Sequence, residues 1–276
     1  MDVFTTITYA LQLTVLICSV FLVARQFRFQ RNSVVLGFFL YGLVCFLLNN
    51  IYWNSMNVLK PDMRIPYGVD DITETGAFLL FATMLAELYR DTSVRAGKEF
   101  SFTILYVIYS IILWNGWTGE WLRNLIGGVA FWYYLYVIIL ALKKSKALKK
   151  TETAVLAALA VFSSILQGVQ FFVSPGIEMA IDVACNILLG TGMIWLLIRG
   201  FFALRKTRRE RTQETARAAL AITFGSVVWI QNGSYMTKDP MYTIEDFVLA
   251  FCLGLMVLSA LTAIGHEPDV PEGGGK

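Results

Sequence analysis

One histidine in 276 residues, His266, and four cysteines, Cys18, Cys45, Cys185 and Cys252, leave little material for metal or haem chemistry. The histidine falls in a short glycine-rich end and the cysteines fall singly inside apolar stretches, with no CxxC pair. Haem ligation and histidine-based zinc sites are thereby excluded, no cofactor or metal is expected, and the cysteines read as small buried hydrophobes. Glycine-rich phosphate loops, HExxH and GxSxG are also missing from the contexts that would give them meaning. A soluble domain is excluded by the scarcity of charge: 16% of the residues are Asp, Glu, Lys or Arg, against 57% hydrophobic, where soluble domains run at about a quarter and about half.

What is present is apolar sequence in blocks, with a mean hydropathy of +0.60. The blocks are about 20 residues long, the length that crosses about 30 Å of hydrocarbon at 1.5 Å per residue. No alternation of apolar and polar residues marks barrel strands. The fold class expected is all-α, a polytopic transmembrane bundle of about nine helices over residues 4–24, 33–53, 70–89, 99–117, 121–142, 153–173, 176–204, 217–235 and 243–264. The eighth is diluted by Gln231, Asn232 and Ser234 and opens on Arg217, and without it eight would remain. Residues 1–265 form one transmembrane domain, and 266–276 read as a short disordered cytoplasmic tail.

Lysine and arginine orient the bundle, because short cytoplasmic loops are enriched in them. With the N-terminus outside, alternate loops collect Arg25, Arg28 and Arg31; Arg90, Arg95 and Lys98; Lys143, Lys144, Lys146, Lys149 and Lys150; and Arg199, Arg205, Lys206, Arg208, Arg209, Arg211 and Arg217. That places 18 of the 23 basic residues on one side, and nine helices then bring the C-terminus into the cytoplasm. So strict a bias fits a bacterial plasma membrane. The basic loops serve topology and contact with anionic lipid rather than nucleic acid, which needs a folded basic face. No loop is large enough for a kinase, cyclase or DNA-binding domain, so any signal would leave through a membrane or cytoplasmic partner.

Polar residues inside the blocks carry the functional information, because hydrocarbon makes them costly. Three segments, 66–90, 174–192 and 238–256, share a plan: a proline-bearing turn, one or two acids, then an apolar run. Asp71, Glu74 and Thr75 stand at i, i+3 and i+4, with Asp70 at the rim; Glu178, Asp182 and Asn186 stand four apart; Glu245 and Asp246 open the last block. Asn50 and Asn54 close the second block, and Gln167, Gln170, Gln231 and Asn232 add amides on the same, outer, side. First-turn acids such as Asp70, Asp71, Glu178, Glu245 and Asp246 serve equally well as helix-start residues. Glu74 and Asp182 lie too deep for that. Glu87 pairs with Arg90 as a structural contact, and Trp53, Trp114, Trp117, Trp121 and Trp229 read as interfacial anchors.

The expectation is therefore an outward-facing acidic cavity. Asp71, Glu74 and Asp182 form its charged centre, Asn50, Asn54, Asn186 and Gln170 are hydrogen-bonding neighbours, and Glu178, Glu245 and Asp246 lie around it. Such a cavity suits a transporter, or the membrane subunit of one, that handles a cation, a proton-coupled solute or a small cationic molecule. A sensory or assembly subunit that binds an external ligand is the alternative. An integral-membrane lipid enzyme using two acids as general acid and base ranks behind both, since no nucleophile or metal-ligand set accompanies the acids, and the protein is expected not to be an enzyme.

Overall fold

A computed structural model describes residues 3–30, 33–59, 68–89, 98–117, 121–233 and 241–264. The tail with His266, the linker holding Lys60 and Arg64, and the positions of Arg31, Arg90, Arg95 and Lys238 lie outside the described residues. Among the described residues the chain forms nine α-helices and no strand: α1 Val3–Phe29, α2 Val34–Leu59, α3 Val69–Leu88, α4 Lys98–Trp117, α5 Trp121–Ser145, α6 Lys150–Val169, α7 Pro175–Leu204, α8 Arg208–Gly233 and α9 Met241–Ile264. Six have the length and apolar composition to cross a bilayer, namely α1, α2, α5, α6, α7 and α9. The rest fall short for visible reasons. Asp70, Asp71, Glu74 and Glu87 interrupt α3, and α8 opens on the charged run RRERTQETAR, while Thr103–Ile112 is the apolar stretch of α4 among the described side chains.

Several boundaries differ from the sequence expectation: α1 runs on to Phe29 rather than 24 and α2 to Leu59 rather than 53, and α8 and α6 differ for reasons local to their sequence. α8 begins at Arg208 rather than at 217, because hydropathy finds the apolar part of a helix and not the helix itself. Its charged first turns are good helix formers joined by close ion pairs, Lys206 with Glu210 at 3.7 Å and Arg217 with Glu214 at 2.9 Å. α6 stops at Val169 and tightens into a 3-10 turn, Gln170–Phe172, before Ser174 takes extended geometry (φ −70°, ψ 155°) ahead of Pro175.

Six helices pack in a closed circuit, each against the next: α1, α2, α3, α5, α8, α9 and back to α1. α4 leans on α5, α7 lies against α8 and α9, and α6 lies against α7. Small residues set the contacts, since in lipid helices associate through close packing rather than through a hydrophobic drive. Gly42 of α2 takes the Phe81 ring of α3, Gly200 of α7 takes Leu255 of α9 and Ile222 of α8, Gly225 of α8 takes Met193 of α7, and the Cβ position of Gly254 of α9 lies 3.4 Å from Val15 of α1. Within the circuit, Phe81 also meets Phe39 of α2 (centroids 6.2 Å apart) and Tyr134 of α5 (6.0 Å), and Phe78 meets Phe131 (5.5 Å). This aromatic block and Leu36, Leu43, Leu135 and Ile138, none of them exposed, make the interior hydrocarbon.

The basic end of the bundle is held by polar contacts of its own. Arg199 of α7 donates to Glu152 of α6 at 3.2 Å and to the Ala147 carbonyl in the α5–α6 turn. Glu152 in turn accepts from the Lys149 backbone N–H at 2.7 Å. Arg217 of α8 donates to the Ser145 carbonyl at 3.4 Å, and Lys144 reaches the Tyr89 carbonyl behind α3 at 2.7 Å.

Two outcomes are expected. Gly42→Leu drives a branched side chain into a ring already wedged between two others, and should cost about 1–3 kcal/mol in thermal unfolding in detergent, while Gly176→Ala, whose added methyl meets nothing within 4 Å, should cost little. A double-mutant cycle on Arg199 and Glu152, side chains 21% and 17% exposed, should return a coupling of about 1 kcal/mol.

Candidate functional site

The expected polar residues gather at the end where α2, α6 and α8 finish and α3, α7 and α9 begin. On the α2–α3 side three contacts fix the antiparallel register: Gly42 against Phe81, Cys45 Sγ 3.6 Å from the Cβ position of Gly76, and Asn49 Nδ2 donating to the Asp70 carbonyl at 3.0 Å. Steps up α2 match steps down α3, so Asn50 lies level with Asp70, and Asn54 lies one turn beyond. Asp70, Glu74, Ala77 and Phe81 share one stripe of α3, spaced for a single helix face. Phe81 points into the circuit, so Asp70 and Glu74 stand above it on the same inward side. Leu36, Leu43, Asn50 and Asn54 share a different stripe of α2 from Gly42, Cys45 and Asn49, and Leu36, Leu43 and Asn54 on it are buried.

Asp70 is 8% exposed and Asn54 5%. Among the described residues, Asp70 Oδ1 and both amide atoms of Asn54 have no hydrogen-bond partner. Asn50 donates back to the Phe46 carbonyl at 2.9 Å, and Asp71 and Glu74 are half-buried and engaged with neighbours. The N-cap of α3 is Gly68, which has no side chain to cap with.

The second group lies on α6 and α7, with α9 beside it. Cys185 donates to the Ser163 carbonyl at 3.6 Å and also meets the Gln167 side chain, which accepts from Gln170 Nε2 at 2.5 Å. Asn186 Nδ2 donates to the Asp182 carbonyl at 3.0 Å. Gln167, Gln170, Asp182 and Asn186 are all buried. Tyr106 carries the seam to α4 through its hydroxyl, 3.4 Å from Ser164 Oγ. Glu178, in the first turn of α7, is half-buried. On α9, Glu245 is 2% exposed with Oε2 unpartnered among the described residues. It shares a face with Cys252, two turns on, whose side chain meets Ser226 of α8, so Glu245 faces α8. Asp246, one residue on, is turned away from that face and half-buried.

The polar residues are thus divided. Asn50, Asn54, Asp71 and Glu74 belong to α2 and α3; Gln170, Glu178, Asp182 and Asn186 belong to α6 and α7 and the turn between them; Glu245 and Asp246 stand on α9. Among the described residues α3 makes no extensive packing with α7 or α9, so the two groups share an end of the bundle without a shared helix interface. No cluster of three His, Cys, Asp or Glu side chains suited to a metal occurs among the described residues.

Sequence reasoning placed Asp70 at the rim, where it is in fact buried; its spacing to Glu74, Ala77 and Phe81 was the available signal. It took Trp229 for an interfacial anchor, whereas the indole is 2% exposed, 3.4 Å from the Cβ position of Gly190 of α7, with Nε1 unpartnered among the described residues. The side chains of Gln231 and Asn232 lie outside the described residues.

Comparison with protein-family models, with curated proteins and with solved structures finds no match. The protein is a multi-helix bundle with several apolar helices of membrane-spanning length, and its function has to be argued from its own residues.

Asn49→Leu removes the bond to the Asp70 carbonyl and should lower stability by about 1 kcal/mol in detergent. A change within error would show that this contact does not hold α2 to α3.

Proposed function

We propose that the protein resides in a bacterial plasma membrane, N-terminus outside and C-terminus in the cytoplasm, and takes up a cation, a proton-coupled solute or a small cationic molecule as a transporter or its membrane subunit. The observation that carries this reading is the burial of Asp182 and Glu245, each 2% exposed, at the end away from the basic loops. Carboxylates in hydrocarbon are costly and are kept where they meet ions, protons or a wet path. In such a place they bind cations by charge and exchange protons as solvation changes. Asn186, Gln167 and Gln170 would supply hydrogen bonds that orient a solute.

A second reading is favoured by α8. Its first ten residues, 208–217, carry the helix beyond its apolar part at the basic end, with Thr215 fully buried and Arg217 tied to the α5–α6 turn. A sensory or assembly subunit would use that rod to engage a cytoplasmic partner.

In liposomes, the purified protein is expected to bind or move organic cations or protons. Asp182→Asn and Glu245→Gln should each reduce uptake about tenfold or more with an unchanged size-exclusion profile. Wild-type protein that neither binds nor moves them, yet co-purifies with a stoichiometric soluble partner through 208–217, would replace transport with the second reading.

A further inference from the structure

From the contacts between α4, α6 and α7 we infer a proton path, a seam of hydroxyl and amide side chains that carries protons between Asp182 and the basic end of the bundle. This deepens the proposed function by naming the coupled ion and its route, and it rests on the reading that Asp182 exchanges protons.

Side-chain contacts join the three helices. Asp182 of α7 lies close enough to Cys185 to interact with it electrostatically, and the Cys185 thiol meets both the Ser163 carbonyl, at 3.6 Å, and the Gln167 side chain of α6. Gln167 is fully buried and accepts from Gln170 Nε2 at 2.5 Å. One turn back along α6, Ser164 Oγ lies 3.4 Å from the Tyr106 hydroxyl of α4, and Tyr109 packs 4.0 Å from the Cβ position of Gly168. Tyr106 shares its stripe of α4 with Thr103 and Ser110, three residues before it and four after. All three are buried, and Ser110 Oγ accepts from Trp132 Nε1 of α5 at 3.4 Å. Among the described side chains the buried stripe of α4 is hydroxyl throughout.

The seam covers the depth that matters. α4 starts at the basic end and α7 at the polar end, so at about 1.5 Å per residue Thr103 lies about 8 Å inside one end and Asp182 about 10 Å inside the other. The six-helix circuit offers no such line, because Phe39, Phe78, Phe81, Phe131, Leu36 and Leu43 fill it. Buried polar side chains are costly in hydrocarbon and mark ion paths and proton relays. The size of the cargo follows from the contacts. α4 and α6 make no extensive packing on each other among the described residues, and Tyr106 and Tyr109 span the interval with their own side chains. A link closed at 3.4 Å has no room for a solute, whereas a hydroxyl takes a proton on one lone pair and releases its own, ending unchanged. On the facing helices Asp182 has neutral company in Gln167, Gln170, Tyr106 and Tyr109. The titratable groups nearest it in the chain are Glu178 and Cys185 on α7, with Glu245 and Asp246 on α9, while the charges of α6 and α8 lie toward the basic end.

The test is proton flux into pyranine-loaded proteoliposomes after a pH step, with potassium and valinomycin clamping the potential, run with and without choline outside as the organic cation. The full-length protein is expected to relax the pH step faster than protein-free liposomes in at least one of the two conditions. Tyr106→Phe, which removes only a hydroxyl, and Ser164→Ala should each slow that flux about tenfold. Asp182→Asn should return it to the protein-free rate, and Tyr134→Phe, which takes a hydroxyl from the aromatic block of the circuit, should leave it unchanged. If Ser164→Ala does not fold, Tyr106→Phe carries the test. Flux no faster than in protein-free liposomes under both conditions, full flux in Tyr106→Phe, or an equal loss in Tyr134→Phe overturns the path. Choline uptake without proton movement keeps the transport reading and removes the path; proton flux with the expected pattern and no choline uptake keeps the path and removes choline-like solutes from the transport reading.

Discussion

A polar side chain on a helix in hydrocarbon has no water to fall back on. It must turn into the protein, find a partner, or sit where a helix ends. The rest of the structure follows from that constraint. Glycines at 42, 200, 225 and 254 let helices approach closely enough to exclude lipid, and the interior they close off is filled by Phe39, Phe78, Phe81, Phe131 and Tyr134. Serines and threonines along the apolar stretches satisfy themselves locally, as Ser19 does on the Val15 carbonyl and Thr83 on the Leu79 carbonyl. Groups that cannot do so, the carboxylates and amides, are displaced toward the ends.

The class of fold was legible because the constraint writes itself into composition: blocks of about 20 apolar residues admit few arrangements other than spanning helices. The extents of α8 and α6 were less legible. Residues 208–216 are helical by propensity and pairing while reading as a loop by hydropathy, and Gln170–Phe172 reads as apolar while the approach to Pro175 breaks the helix. Local signals and the membrane signal conflict at both places, and the local signal prevails.

The site was legible in part for a different reason. Spacing along a helix shows which residues share a face, so the pairing of Asp182 with Asn186 could be read from the chain. Which helices then meet is decided by long-range packing, and α5 standing next to α3 and α8 leaves no trace in local sequence. That is why one shared centre of Asp71, Glu74 and Asp182 was a reasonable expectation, and why the structure distributes those residues over two helix groups. Trp229 illustrates the same limit. A tryptophan four residues from the end of an apolar helix reads as an interfacial anchor, and only the proximity of Gly190 on another helix turns it inward.

The two ends of the bundle differ in how their polar groups are settled. At the basic end Arg199, Glu152, Arg217 and Lys144 bond to one another's helices or to turn carbonyls, joining α3, α5, α6, α7 and α8. That end is closed by its own side chains. At the opposite end Asn54, Asp70, Trp229 and Glu245 keep atoms without partners among the described residues while being almost fully withdrawn from the surface. Leaving a buried donor or acceptor unmade costs about 1–3 kcal/mol each, and small domains hold only about 5–15 kcal/mol in total. At the arginine-clamped end Gln30 Oε1 and Ser259 Oγ are left in the same state among the described residues, but no carboxylate oxygen there is, so the asymmetry between the two ends is one of charge.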